Sequence, residues 1–219
     1  MPASVVPPGA DGGTTSGNGH RPETNGKGHA PTPTKENPAP GAGPFGMVLF
    51  LISLGVLFLG SIAAYLAIRF SAGDAFAADR PPLPRALLLS TGLILASSVT
   101  LQCAGPLARA NRQWPLRAAL LGTLLLAMGF LASQVTSWID LVAAQTTMTS
   151  DLYGWLFYFL TGLHALHVIG GFVPLTVITV NAFYGRYSPL KHGAIGFVTM
   201  YWHFLGVVWL TLYAMLAWA

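Results

Sequence analysis

The chain has 219 residues, of which 53% are hydrophobic and 8% charged, at a mean hydropathy of +0.57. Soluble domains carry about 25% charged residues, so this chain has too few charges to cover a water-facing surface, and an ordinary soluble enzyme is excluded. A net charge of +4 does not imply nucleic acid as a partner, because the eleven Lys and Arg sit scattered at chain bends with no basic stripe. The single cysteine, Cys103, excludes disulfide frameworks and multi-cysteine metal sites.

Residues 1–43 come first, with nine Gly, eight Pro and no aromatic residue. Such a segment buries too little apolar area to offset its conformational entropy, so a disordered tail is expected there. It has neither the charge pattern and apolar stretch of a secretory signal nor the make-up of a mitochondrial transit peptide. His20 and His29 are read as solvated tail residues, since two isolated histidines make a poor metal site.

Residues 44–219 form the second part, with five apolar stretches at 45–68, 86–106, 118–138, 152–183 and 194–219. All eighteen charged residues fall outside them. A helix of about 20 residues crosses a hydrocarbon core of about 30 Å, and only helices satisfy their own backbone there. The expected fold is therefore all-α: a polytopic bundle of five transmembrane helices. Pro81, Pro82 and Pro84 precede the second helix, Gly105-Pro106 is expected to end it, and Pro115 stands near the start of the third. Pro174 is expected to kink the fourth.

Lys35, Arg109, Arg112, Arg117, Arg186 and Lys191 fall on one side of this topology, and Arg69, Arg80 and Arg85 on the other. That bias predicts an amino terminus inside and a carboxy terminus outside. Trp114, Trp138, Trp155 and Trp218 fall near helix ends, where amphipathic rings prefer to sit.

Ionisable residues at membrane depth are candidates for function, and here they are His164, His167 and His203. His164 and His167 share one face of the fourth helix, three positions apart. Two readings stand: a metal, haem or proton-relay pair, or histidines hydrogen-bonded to neighbouring helices or lipid headgroups. The second needs no further ligands, whereas the first would want carboxylate, Cys or further His ligands with their own supporting partners, and no Asp, Glu, Lys or Arg is embedded to complete it. Ser97, Ser98 and Thr100 have no acid–base partner nearby and read as close-packing residues, and Cys103 reads as a small buried hydrophobe. Gly60 with Ala64, and Gly92 with Ala96, are small-residue pairs at helical spacing and read as packing seams.

Phe157-Tyr158-Phe159-Leu160-Thr161-Gly162-Leu163-His164-Ala165-Leu166-His167-Val168 resembles the motif FYxLTGxHxxHV of subunit III of the haem–copper oxidases. Tyr201-Trp202-His203-Phe204 followed by Val207-Val208-Trp209 is similar to that family's final-helix signature YWHFVDVVW. Ala63-Ala64-Tyr65 through Arg69, Ala96 through Gln102, and Gln134 with Trp138 (where the family has QxxEW) extend the likeness over all five helices of the bacterial form.

The resemblance implies a chain that binds neither haem nor copper. Those cofactors would lie in a catalytic subunit I and a copper-binding subunit II, which pass electrons from cytochrome c to oxygen. It also implies structural phospholipid held between the helices and a multi-pass place in a bacterial plasma membrane. His164, His167, Tyr201, Trp202, His203, Trp209, Gln134 and Trp138 would then be structural, lipid-contact or subunit-contact residues. The equivalent subunit of a quinol oxidase, the relative in a nitric oxide reductase, and a scaffold or assembly factor outside any oxidase are the alternatives.

Four departures from the family pattern stand out. Leu54 replaces the glutamate of LFLxSE, Ser137 that of QxxEW, Gly196 the glutamate five residues before YWHF, and Gly206 the aspartate of YWHFVD. None of the replacements can ionise, so the expectation is a retained scaffold without a proton-buffering role.

Overall fold

Among the described residues of the computed structural model the chain forms five helices, α1 (Ala42–Ala72), α2 (Ala86–Arg109), α3 (Gln113–Ala143), α4 (Leu152–Phe183) and α5 (Gly193–Trp218). The structure describes residues 42–73, 85–146, 152–189 and 192–218. These belong to one compact unit spanning Ala39–Ala219. The tail through residue 41, Arg80, Pro81, Pro82, Pro84, Asp151 and Lys191 lie outside the described residues. Each helix is long and apolar enough to cross a membrane.

The helices overrun the apolar stretches. Ala42 and Gly43, read as tail, already belong to α1, and α3 extends over Arg117 and Asp140. Hydrogen bonding continues a helix until a cap stops it, so polarity alone marks the spans too short. Pro106 does not end α2, which runs three residues further to Arg109. Its missing N–H removes one bond, but its carbonyl still accepts from the N–H of Ala110 at 2.9 Å. Pro115 falls in the first turn of α3, where no intrahelical N–H partner is needed. At the end of α4, Gly185 takes a left-handed φ of +66°, which lets its N–H and that of Arg186 return to the carbonyls of Ala182 and Asn181.

Helices α2, α3, α4 and α5 form a closed ring in that order, and α1 lies outside it along α4 and α5. Thr100 and Thr123 join α2 to α3 at 2.9 Å, and the Nε–H of Arg117 on α3 donates to the carbonyl of Ala182 at the end of α4. That puts a cation on the negative end of the α4 dipole. In the same turn, burial pushes the Tyr187 hydroxyl pKa up, and a hydrogen bond with the Asn181 side chain pulls it partly back. On α1, Leu54, Phe58 and Tyr65 are buried while most of the apolar length is exposed.

Two packing expectations are corrected. Nothing lies within 4 Å of a Cβ built on Gly60 or Gly92, and Ala64 and Ala96 are exposed, so both small-residue pairs face away from the bundle. The close approach lies instead at Gly171, where a Cβ would come within 2.6 Å of Cε1 of Tyr201. Cys103 is exposed rather than buried. It sits opposite the α2 face formed by Ile94, Ser97, Leu101 and Ala104, and a small apolar side chain is stable against lipid there.

Candidate functional site

The centre of the bundle is built around Trp209. Its indole N–H donates to Oγ1 of Thr91 on α2 at 3.0 Å. Its ring meets Phe130 of α3 edge-on at 5.1 Å and His164 of α4 at 5.1 Å. One residue of α5 thus touches the other three helices of the ring. Trp202, two turns earlier, donates to Oγ of Ser97 on α2 at 2.9 Å and lies against the Gly171 position on α4.

His164 is fully buried, and its ring contacts Phe58, Phe130 and Trp209. Neither ring nitrogen has a hydrogen-bond partner. His167 contacts the same Phe58 at 5.1 Å, and its Nδ1 lies 2.7 Å from the carbonyl of Leu163 on its own helix. Nε2 of His203 lies 2.8 Å from Oε1 of Gln102 on α2, an oxygen that only accepts, so Nε2 carries the proton. The three histidines therefore occupy three settings: aromatic packing, a backbone bond within one helix, and a bond between helices. Among the described residues, no group of three His, Cys, Asp or Glu is placed to hold a metal.

Gln134 is buried, and neither its Oε1 nor its Nε2 has a partner. It stands on α3 one turn from Phe130, which faces His164, and one turn from Trp138, whose N–H donates to Thr161 at 3.1 Å. Tyr158 donates to the carbonyls of Trp138 and Thr146, each at 3.1 Å. The Tyr201 hydroxyl donates to the carbonyl of His167 at 2.8 Å and its ring stacks with Phe50 of α1. His167, Tyr201, Phe50, Met47 and Gly170 line an apolar cleft of about 400 Å³ between α1, α4 and α5.

The four positions where the resemblance expects acids have distinct surroundings. Leu54 is buried in the core one turn from Phe58. Ser137 is buried and returns its hydroxyl to the carbonyl of Ser133 at 2.9 Å. A Cβ on Gly206 would lie 3.4 Å from Oγ of Ser98, a buried hydroxyl without a partner. Gly196 opens on a polar groove between α2 and α5 that also holds Arg109. Sequence reading did not find that groove, because its residues come from helices almost ninety positions apart and share no motif.

Replacing His164 tests its packing role. His164→Leu loses ring contacts worth roughly 0.5–1.5 kcal/mol each, but removes two unpartnered nitrogens from apolar surroundings, a gain of roughly 1–3 kcal/mol. Thermal unfolding in mild detergent is expected within about 1 kcal/mol of the parent protein. A loss of several kcal/mol would show that the nitrogens have a partner.

An all-helical bundle of five membrane-crossing helices, locked by tryptophan and histidine packing, defines a membrane subunit whose two motif-bearing helices are joined at its core. The sequence model of one family, described as cytochrome c oxidase subunit III, matches residues 39–219. A Nocardia farcinica protein named "Probable cytochrome c oxidase subunit 3" is 33% identical over 174 residues, covering 77% of this chain and 84% of the relative. A Mycobacterium tuberculosis H37Rv protein of the same name is 31% identical over 176 residues, covering 78% and 85%. The cytochrome c oxidase subunit 3 of Papio hamadryas is 31% identical over 182 residues, covering 80% of this chain and 68% of its own length. The chain belongs to the cytochrome c oxidase subunit III family.

Proposed function

We propose that this chain is the non-catalytic subunit III of a bacterial respiratory oxidase. In this reading it spans the plasma membrane with its amino terminus inside and packs on a haem-bearing subunit I beside a copper-bearing subunit II. Electrons pass from cytochrome c to oxygen in those partners. The observation that carries the reading is the use of the two family motifs. Trp202, Trp209 and His164 are engaged in packing between helices, not arranged around an open ligand site, and Tyr201 ties α5 to α4 through the carbonyl of His167. The apolar cleft between α1, α4 and α5 suits the acyl chains of structural phospholipid.

The chain keeps the scaffold and has given up any part in proton supply. Leu54, Ser137, Gly196 and Gly206 leave none of these four sites a group that takes up a proton near neutral pH. Purifying the oxidase with and without this chain tests both halves. The haem spectrum is expected to be the same in both preparations, and proton uptake during single turnover is expected to have equal rates. Loss of haem absorption without the chain would overturn the non-catalytic role, and a slowed uptake step would overturn the loss of proton supply.

A further inference from the structure

Gln102 on α2 and His203 on α5 bond to each other on the outside of the ring, where Gln102 is exposed and His203 half-buried. Gln102 lies seven residues before Arg109 closes α2, about 10 Å into the span at 1.5 Å per residue. His203 lies ten residues into α5. Hydrocarbon offers such groups no partner, so polar side chains at that depth face protein or a water-filled cavity. The outward pair marks a face that another protein covers.

From this pair a groove of about 420 Å³ runs between the two helices to Arg109, with Gly105 and Gly196 on its walls. Nη2 of Arg109 lies 3.8 Å from where a Cβ on Gly105 would stand, and nothing lies within 4 Å of a Cβ on Gly196. Donors outnumber acceptors here. Oε1 of Gln102 takes the proton of His203, which leaves the amide N–H₂ of Gln102 as a donor. Thr199 commits its hydroxyl proton to the carbonyl of Ile195 at 2.8 Å. Among the described residues no carboxylate lines the groove, and Asp140 lies at the opposite end of the bundle. A guanidinium with an amide beside it selects an anionic oxygen pair. A lipid phosphate stays at the level of the helix end and reaches Arg109 alone. A side chain carried by a helix in the groove reaches both levels.

Beyond the pair, toward mid-membrane, the face is apolar. Val99, Leu95 and Gly92 continue it along α2, and Val207 and Leu210 along α5, all of them exposed. Nothing lies within 4 Å of a Cβ on Gly92, so a neighbouring backbone can come close there. On the other flank of α5, Phe204 with Ile52 and Val56 of α1 bounds a second groove of about 420 Å³. The exposed stripe of α5 is thus the floor of a trough walled by α1 and α2, the width of one further helix.

We propose that this trough is the docking face for a transmembrane helix of a partner subunit, and that the helix carries an Asp or Glu which pairs with Arg109 and Gln102 across the opening at Gly196. The acid that the family pattern has at position 196, and that this chain lacks, is then supplied by the partner. The inference rests on the reading of the chain as a subunit of a larger membrane complex, and it adds the face and the charge by which one partner is held.

The test uses the intact complex, purified in mild detergent through a tag on this chain, with the photo-crosslinker p-benzoylphenylalanine placed at Val99 or at Val207. Both positions are expected to crosslink to one and the same membrane-spanning helix of a co-purifying subunit, and the peptide identified by mass spectrometry is expected to hold an Asp or Glu level with Arg109. Arg109→Gln is expected to lower retention of that subunit through a detergent wash about thirtyfold, the smaller end of the effect of truncating one member of a buried charge pair. Gly196→Glu, whose carboxylate fits beside Arg109 and takes the partner's place, is expected to lower it as much. Changing the partner's acid to its amide is expected to add little to Arg109→Gln, since both remove one interaction. Crosslinking to lipid alone, crosslinking to a helix without a carboxylate, or unchanged retention in either variant would overturn the proposal. Haem content of the same preparation reports separately on oxidase membership, so a failed crosslink in a haem-bearing complex leaves that reading standing.

Discussion

Trp209→Ala is expected to lower stability by about 3–5 kcal/mol, the range for truncating a buried tryptophan in a well-packed core. The cost is large because three neighbours lose their partner at once. Thr91 loses the indole N–H, and Phe130 and His164 each lose a ring at 5.1 Å. His164 would then border a cavity with neither nitrogen satisfied. Trp209→Phe keeps most of the ring volume and removes the hydrogen bond, so it should cost about 1 kcal/mol. Thermal unfolding of the detergent-solubilised chain with its partners, together with the yield of assembled complex, reads both. If Trp209→Ala melts with the parent protein, Trp209 is not the hub of the ring.

Gly171→Leu is the second large effect, and it acts by crowding. The Tyr201 ring lies along one turn of α4, with Cε1 2.6 Å from the Gly171 Cβ position and the hydroxyl held by the carbonyl of His167. Trp202 closes the other side at 3.3 Å. The ring is held at both ends, so α4 and α5 must separate to admit a side chain. Overpacking costs about 1–3 kcal/mol for added methylenes, and helix propensity returns at most about 1 kcal/mol of that. Gly171→Ala should therefore lower the melting temperature slightly, and Gly171→Leu should lower it strongly. Gly162→Ala is the control. Nothing lies within 4 Å of that Cβ, so the same propensity gain comes without a clash and the melting temperature should hold or rise. Equal melting of Gly171→Leu and the parent protein would mean that α4 and α5 pack more loosely than the 2.6 Å approach at Gly171 requires.

The five helices were legible because membrane crossing imposes a length and a polarity that no other structure shares. Their ends were not, since caps such as Gly185 and the continuing turn at Pro106 are decided by local hydrogen bonds. The histidines at 164, 167 and 203 could be picked out as the embedded ionisable groups. Their separate settings could not, because Phe58, Phe130 and Gln102 come from other helices. Small residues misled in both directions. Gly60 and Gly92 have the spacing of a seam and face outward, whereas Gly171 carries the tightest contact with no spacing to announce it. Spacing identifies residues on one face of a helix, and only the neighbouring helix decides whether that face is covered.

The substituted acids gain meaning from the same packing. Ser98 is left unpartnered beside Gly206, and Arg109 shares a groove with Gly196. Two of the four substituted positions thus lie next to a donor that a carboxylate could satisfy.

A mild-detergent pull-down of this chain from native membranes, followed by an optical spectrum and identification of the co-purifying chains, tests oxidase membership most directly. Co-purification with a many-helix haem subunit and a copper-binding subunit, in near-equal amounts, is the expected result. Recovery of the chain alone and colourless, under conditions that keep other membrane complexes intact, would contradict it.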